Sequence, residues 1–454
     1  MSRTNYRWVI CALLFFGTTI NYLDRQVLSL LEPALAKEFS WSNSDYANIA
    51  AVFQFTYAIG MLFAGRFVDF TGSKVGYSWV LGLWSLGAVL HAFVAQIGGG
   101  ISAMLSSLSI SVPITIAGFM FARLVLGLGE SGNFPCAIKA VAEWFPKKER
   151  SFATGIFNSG ANVGAILAPL AVPWLAAQWG WESTFAIVGA IGFICLFFWK
   201  GLFDLPLKLF TKGKLNQAEY NYISEDADSQ QNREQEHEKI SWFSLLAYRQ
   251  TWAFAIGKFL TDGVWWFFMF WLPAYLSAQY KMSGTQMMLP IATIYCMTMV
   301  GSIGGGWLPA MFMKKGLNPY VARMRAMLFI AVFPLSALFA QPLGHAGFWM
   351  PVILIGIAAS AHQAWSANLF TTVSDMFPNK AVASVIGIGG MAGGFGGVAV
   401  TKVAGALFDH YQALGEINVG YSIMFVFCGL AYLIAWGLMK TLVPRFKVIE
   451  FNQI

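Results

Sequence analysis

The sequence predicts an all-α membrane protein of twelve transmembrane helices arranged as two pseudo-symmetric six-helix bundles. Three observations predict it: too little charge for a water-facing surface, twelve apolar stretches long enough to cross a bilayer, and an internal match between the two halves of the chain. Charged residues are 11% of the 454 and apolar ones 57%. An ordinary soluble protein is roughly 25% charged, so this chain could not clothe a surface against water. Lipid removes that requirement, and the 18 Trp and 40 Phe suit both the hydrocarbon core and its interfaces.

A spanning helix needs about 20 mostly apolar residues. Candidates lie near 8–30, 46–66, 76–97, 112–140, 152–175 and 182–203, then near 252–278, 287–313, 324–342, 348–375, 383–408 and 418–441. Between the sixes lies the one long hydrophilic region, which holds Glu225, Asp226, Asp228, Arg233, Glu234, Glu236, Glu238 and Lys239. The expected organisation is therefore a bundle over 1–203, a cytoplasmic linker with some amphipathic helix over 204–250, and a bundle over 251–454. The piece from Gly98-Gly99-Gly100 to Ser111 reads as a periplasmic loop. Arg3 and Arg7 before an apolar stretch resemble a signal peptide, but Asp24 and Arg25 interrupt that stretch and many spans follow, so it reads as a retained first helix.

Orientation follows from Lys and Arg. One side receives Arg3, Arg7, Lys74, Lys147, Lys148, Arg150, the linker, Lys314, Lys315, Arg323, Arg325, Lys380, Lys440, Arg445 and Lys447; the opposite loops carry only Lys37 and Lys281. Both termini are expected in the cytoplasm. The net charge of +7 then reflects basic cytoplasmic loops rather than nucleic-acid binding, since no basic stripe interleaved with aromatics occurs. The five cysteines are dispersed in apolar runs, and neither a disulfide framework nor a zinc site is expected.

The internal match joins Glu143-Trp144-Phe145-Pro146-Lys147-Lys148 to Asp375-Met376-Phe377-Pro378-Asn379-Lys380 at a shift of 232 residues, and at the same shift Gly155 meets Gly387 and Gly164 meets Gly396. A duplicated six-helix unit implies a site between the halves that is exposed to alternate sides as they rock. The glycine run 387–397, spaced by four, implies close helix packing.

Ionisable residues inside spans are costly and are candidates for function. They are Asp24 and Arg25 in the first span, Arg123 and Glu130 in the fourth, Lys258 and Asp262 in the seventh, and Lys402 in the eleventh. Arg123 and Glu130 are two turns apart on one face, with Gly127 between them. Lys139 can snorkel. Two readings stay open: pairs such as Asp24 with Arg25 and Arg123 with Glu130 lock helices together, or the carboxyls carry protons while an arginine binds an anion bidentately. Asn21, Tyr22, Tyr57, Asn158, Asn162, His362, Gln363, Trp365 and Asn368 supply polar and aromatic groups suited to a hydroxyl-rich ligand; each serves equally well as helix–helix glue. Gly127-Leu128-Gly129-Glu130-Ser131-Gly132 fits G-x-G-x-x-G, but that fingerprint needs a preceding strand and here lies in a membrane helix. No Walker loop, HExxH or GxSxG occurs, so neither ATP-driven transport nor an enzyme is expected.

Gly65-Arg66-Phe67-Val68-Asp69-Phe70-Thr71-Gly72-Ser73-Lys74 resembles the loop motif between helices two and three of the major facilitator superfamily, with Phe70 and Ser73 departing from it. Asn21-Tyr22-Leu23-Asp24-Arg25, Arg123 through Glu130 and Trp144 through Ser151 resemble its anion:cation symporter family. Gly257 through Leu276 and Phe377 through Gly394 are similar to bacterial hexuronate transporters. The resemblance implies the major facilitator fold and proton-coupled uptake of sugar acids such as glucuronate and galacturonate across the inner membrane. It implies proton coupling at Asp24 and Glu130, carboxylate binding at Arg25 and Arg123, cavity-lining Tyr22 and Tyr57, and a cytoplasmic gate at Gly65, Asp69, Gly72 and Lys74. A monomer is expected, with a small anionic substrate, protons and the bilayer as partners and no cofactor beyond the coupling proton. Alternatives are an aldonate, an aldarate or another organic anion as substrate, a non-transporting sensor of the same fold, and a membrane enzyme.

Overall fold

The computed structural model describes residues 4–226, 242–447 and 449; Arg3 and the linker residues Asp228, Arg233, Glu234, Glu236, Glu238 and Lys239 lie outside the described residues. Lipid offers a backbone no hydrogen bonds, and a helix closes them all within itself. Every regular element among the described residues is accordingly helical. Six helices come first: α1 (Tyr6–Phe39), α2 (Asn43–Leu90), α3 (Val94–Ser106), α4 (Ile114–Glu130), α5 (Asn133–Trp144) and α6 (Lys147–Leu202). The short α7 (Pro206–Thr211) and α8 (Gln217–Ile223) lie in the linker, followed by one turn at Trp242–Leu245. Then come α9 (Arg249–Tyr280), α10 (Met288–Lys314), α11 (Pro319–Ile330), α12 (Trp349–Met376), α13 (Asn379–Ala413) and α14 (Ile417–Leu442).

Among the described residues, seven stretches are long and apolar enough to cross a membrane by length and composition. Two of these hold two crossings each, because α2 turns at Gly72 and α6 at Gly180, with φ of 75° and 81°. That region of backbone space clashes with a Cβ, so glycine is required to double the helix back. The helices α1, α9 and α12 are 34, 32 and 28 residues long but carry charged and amide side chains that dilute their hydropathy. They complete the twelve crossings.

The repeat is visible in backbone geometry. Phe145 and Phe377 end their helices in extended conformation, at φ −124°, ψ 134° and φ −109°, ψ 143°. Pro146 and Pro378 then start the next helices at φ −62°, ψ 153° and φ −63°, ψ 149°. Proline fixes φ and leaves no N–H to satisfy at a helix start, so the same two residues make the same corner in each half.

The expected loop over 98–111 is corrected: α3 continues through Gly98-Gly99-Gly100 to Ser106, and the turn occupies only 107–113. In water three glycines destabilise a helix; in a membrane they let helices touch. A Cβ on Gly98 would collide with the Ile114 carbonyl, and one on Gly118 with the Val94 carbonyl. Gly98 and Gly118 are therefore the contact surface of α3 on α4.

Contacts divide the chain into two units. Unit 1 comprises Met1–Val27, Ile59–Ala168 and Gln178–Lys239; unit 2 comprises Leu28–Ala58, Pro169–Ala177 and Ile240–Ile454. Within unit 1, the start of α1 is capped from the linker. The N–H groups of Tyr6 and Arg7 donate to the Glu219 carboxylate at 3.0 and 3.1 Å, and the Arg7 guanidinium pairs with Glu149 at 3.0 Å and Glu219 at 3.2 Å. Within unit 2, the segment Leu28–Ala58 is held by polar contacts. The N–H groups of Asn43 and Ser44 donate to Asp409 at 2.8 and 2.9 Å, Tyr46 Oη donates to the Phe270 carbonyl at 2.7 Å, and Gln54 Nε2 donates to Thr401 at 2.9 Å. Lys402 bonds Asn48 there. The glycine run of α13 faces α9: a Cβ on Gly393 would strike Asp262, and one on Gly396 the Phe259 carbonyl.

Gly98→Val should lower the melting temperature of the detergent-solubilised protein by several degrees, since overpacking costs roughly 1–3 kcal/mol. Gly99→Val, whose Cβ meets nothing within 4 Å, should shift it far less. Equal losses for the two would refute the close-contact role of Gly98.

Candidate functional site

The spacing of Thr18, Asn21, Asp24 and Arg25 puts them on one stripe of α1. Glycines bring neighbours close to that stripe: a Cβ on Gly164 of α6 would meet the Thr19 carbonyl and, at 2.9 Å, the Tyr22 Cβ. On α4, Arg123 and Glu130 share the facing stripe, and the helix ends at Glu130 before a turn at Ser131–Gly132 leads into α5. The glycines of G-x-G-x-x-G have a packing role here. A Cβ on Gly129 would collide with the Trp84 backbone N, and one on Gly132 with the Val80 side chain.

The charges pair across helices. Arg25 Nε lies 2.8 Å from Glu130 Oε2, with side-chain exposures of 4% and 0%. The Arg25 guanidinium also sits 4.8 Å above the Tyr22 ring. Arg123 Nη1 donates to the Arg25 carbonyl at 3.3 Å. Among the described residues, the ion pair at this site joins Arg25 of α1 to Glu130 of α4. Rotation of the two helices decides this, and sequence spacing along one helix does not report it. Asp24 is 2% exposed, and among the described residues neither its carboxylate oxygens nor the amide of the fully buried Asn21 has a hydrogen-bond partner. At the N-terminal end of this stripe Asn133 Nδ2 donates to Thr18 Oγ1 at 3.4 Å, and Tyr77 Oη donates to Asn133 Oδ1 at 2.8 Å.

Unit 2 gathers a second cluster. The buried His362 ring stacks on Trp265 at 5.0 Å and 11°, and its Nδ1 lies 2.8 Å from Tyr432 Oη. Trp365 is fully buried, and its Nε1 has no hydrogen-bond partner among the described residues. Asn368 spends its amide on helix packing, donating to Gly305 and Ala364 carbonyls at 2.7 and 2.9 Å. Gln363 is half-buried. Tyr57, also half-buried, lies against Phe53 and Trp266 at 6.0 and 6.2 Å. In unit 1, Asn158 is exposed. Lys258 pairs with Asp262 at 2.6 Å. At the repeat shift of 232 residues, His362 occupies the position of Glu130.

The loop motif sits at the turn in α2. Asp69 pairs with Lys139 at 3.0 Å, and Lys139 also donates to the Val68 carbonyl at 3.1 Å, so this lysine has a partner rather than merely snorkelling. Gly72 makes the turn, Ser73 donates to Glu143, and a Cβ on Gly65 would meet nothing. Lys74 pairs with Asp204 at 3.0 Å, and Lys212 joins at 3.2 Å. The Trp144 and Trp199 indoles donate to the Asp204 and Lys74 carbonyls at 3.2 and 3.1 Å, fixing both partners.

Sequence reasoning missed Glu143, Asp204, Trp265 and Tyr432 as members of these clusters. The repeat offered a signal for Glu143, because its counterpart Asp375 is also acidic and pairs with Arg323 at 2.5 Å. Nothing in sequence marks Tyr432 among the aromatics of α14.

Asp204 lies outside the spanning helices. Burial alone would raise its pKa, but hydrogen bonds from Lys74, the Leu205 N–H and Lys212 outweigh it and bring it below the ordinary 3.8. A depressed carboxyl pKa contributes stability above its unfolded value and loses it as pH falls through the folded one. Asp204→Asn should therefore lower the melting temperature at pH 7, and the wild-type and variant curves should converge as pH drops below the ordinary carboxylate range. A difference that persists in acid would show that charge is not the cause.

Comparison with known proteins agrees with this architecture. A model of the Major Facilitator Superfamily matches residues 14–401. The hexuronate transporter of Escherichia coli (strain K12) is 30% identical over 447 residues, covering 96% of this chain and 94% of that one. The probable galactarate/D-glucarate transporter GarP of the same organism is 26% identical over 458 residues, covering 98% and 97%. The crystal structure of a D-xylose-proton symporter shares the fold at a TM-score of 0.71 and 15% identity, covering 98% of this chain and 100% of that one. Twelve crossings, a doubled corner and a family match over most of the length lead to one conclusion: this multi-pass membrane protein belongs to the major facilitator superfamily.

Proposed function

We propose that this chain is a proton-coupled symporter that imports hexuronates, glucuronate and galacturonate among them, across the bacterial inner membrane by alternating access. The observation that carries the reading is the buried Arg25–Glu130 pair with the hydrogen-bond-free Asp24 beside it. The relative named as a hexuronate transporter supports the substrate class. The relative named for galactarate and D-glucarate favours a dicarboxylic sugar acid as the second reading, at lower identity.

In this reading a sugar carboxylate and Glu130 compete for one guanidinium. While Glu130 is ionised, it occupies Arg25. A proton on Glu130 removes its charge, and the guanidinium becomes available for bidentate binding of the substrate carboxylate. Asp24 carries a proton on the same stripe, and Arg123 steadies the Arg25 backbone and shares the anion. Tyr22 lies under the guanidinium. Tyr57, Asn158, His362, Gln363 and Trp365 are the proposed contacts for sugar hydroxyls and the ring, with Asn368 limited to its carbonyl oxygen because its N–H groups serve helix carbonyls. Release of substrate lets Glu130 lose its proton and recapture Arg25, which ties proton movement to substrate movement. The loop at Gly65, Asp69, Gly72 and Lys74 is the proposed gate. Bundles over 1–203 and 251–454, joined by the 204–250 linker, rock as a monomer with both termini in the cytoplasm, as the basic loops favour.

Proteoliposomes holding the purified protein should accumulate glucuronate and galacturonate only under an inward proton gradient, and an uncoupler should abolish accumulation. Glu130→Gln should reduce gradient-driven accumulation at least tenfold while retaining exchange of labelled for unlabelled substrate. Gradient-driven accumulation by that variant would exclude Glu130 as the coupling carboxyl. Uptake of other organic anions in vesicles that ignore hexuronates would overturn the substrate.

A further inference from the structure

The first turn of α2 is completed from another helix. A helix leaves its opening N–H groups without partners of its own. Ser42 Oγ accepts from the Asp45 N–H at 3.1 Å, and the Asp45 carboxylate accepts from the Ser42 N–H at 3.0 Å, so the chain caps its own third helical position. The first two positions are left to α13. Asp409 Oδ1 accepts from the Asn43 N–H at 2.8 Å and from Asn43 Nδ2 at 3.0 Å, and its Oδ2 accepts from the Ser44 N–H at 2.9 Å. The helix dipole also favours a carboxylate at this end.

From this cap a seam runs along the two helices in opposite directions. A Cβ on Gly405 would collide with Ala47, Lys402 bonds Asn48, Gln54 donates to Thr401 at 2.9 Å, and a Cβ on Gly394 would collide with Ala58. Positions 43–58 of α2 thus meet positions 409–394 of α13, a length of roughly 22 Å at about 1.5 Å per residue. Asp409 accepts three hydrogen bonds across the seam, whereas Thr401, Asn48 and Gln412 accept one each. Gly405, Ala47, Gly394 and Ala58 let the helices touch and separate without interlocking side chains. All of these residues lie in unit 2, although positions 43–58 belong to the first half of the chain and α13 to the second. If the halves rock, this seam has to part. The basic loops place the cap end of the seam on the side opposite their own, the periplasm.

Resting on the reading that the two halves rock, we propose that Asp409 is the latch of a periplasmic gate: its carboxylate holds the opening turn of α2 on the end of α13 and sets how readily the seam parts. Two of its three donors are backbone N–H groups. These cannot swing aside as a lysine or arginine side chain can, so the latch is released only when the start of α2 moves away from α13. Loss of the carboxylate leaves two N–H groups of α2 without a partner while the seam is closed, and parting the seam then gives them water. Removing the latch therefore favours the parted seam.

The test is the rate at which one thiol reacts with a membrane-impermeant maleimide applied to the outside of right-side-out membrane vesicles. Ala50 lies between Ala47 and Gln54 on the same stripe of α2 and is 2% exposed, so Ala50→Cys reports the parted seam. It is measured in the full chain with Asp409 intact, with Asp409→Ala and with Asp409→Asn. Expected is labelling about fivefold faster in Asp409→Ala, the factor of a lost helix cap, with Asp409→Asn, which keeps one acceptor oxygen, between the two. The fully buried native Cys428 of α14 should label no faster in either variant. Equal rates for the Ala50→Cys thiol with and without the Asp409 carboxylate would overturn the latch. So would a parallel rise at Cys428, because unit 2 would then have loosened as a whole. Should Asp409→Ala fail to reach the membrane, Asp409→Asn decides alone. The readout needs no substrate, so a wrong hexuronate assignment leaves it intact. An Ala50→Cys thiol that labels only after unfolding, in all three proteins, would instead sink the rocking motion on which the latch rests.

Discussion

A charge taken out of water must be matched by another charge or cancelled by a proton, because the low-dielectric interior supplies neither solvent nor counterion. The helices that hold the functional side chains are organised around that requirement. In unit 1 the match is made between helices, Arg25 of α1 against Glu130 of α4. In unit 2 it is made within one helix, Lys258 against Asp262 a turn away on α9. The difference matters physically. A pair between helices can be parted by a proton, by a competing anion or by a small rotation of either helix. A pair four residues apart on one helix travels with that helix and stays closed through any rigid movement of it. One arrangement suits a switch and the other suits a fixed link.

Both pairs lie among closely packed helices, and glycine provides that packing. Gly129 on Trp84 and Gly164 on Thr19 draw neighbouring helices against α4 and α1, while Gly393 and Gly396 seat α13 on α9. Hydrophobic attraction cannot bring helices together in lipid, since the tails are as apolar as leucine. Contact depends on surfaces that fit, and a missing Cβ at the crossing point is the simplest fit. The same residues that look like conformational weakness in water are therefore the ones that let these helices touch.

The fold was legible because lipid makes it so. Span lengths, basic loops and the Phe-Pro corners at 145–146 and 377–378 each follow from a constraint that acts locally on the chain. The identities of the buried ionisable residues were equally legible, since Asp24, Arg25, Arg123, Glu130, Lys258 and Asp262 all interrupt apolar runs. Their partners were less so. An i, i+4 pair on one helix is fixed by helical geometry, and Lys258–Asp262 formed as spaced. A pair between helices depends on rotation and register, which side-chain packing decides, and spacing along α4 gave no sign that Glu130 would meet Arg25. The segment at 98–106 failed for a related reason. Gly98-Gly99-Gly100 satisfies turn chemistry and membrane packing alike, and only the presence of α4 beside it tells them apart. Asn368 shows the limit at single-residue scale: its composition allows ligand contact, but its amide is committed to carbonyls on α10 and α12.

The cap on α1 has a consequence in time. Any helix begins with backbone N–H groups that no residue of its own can satisfy. Those of Tyr6 and Arg7 are satisfied by Glu219, which for Arg7 is 212 residues further along the chain. At a synthesis rate of about 5–20 residues per second, the ribosome needs roughly 10–40 s to reach it. During that interval the first helix has entered the bilayer with its leading turn served only by water and lipid head groups. The opening turn of α1 is thus completed only once synthesis has reached α8, and a chain stalled before that point carries the turn unfinished however well the helices after it have packed.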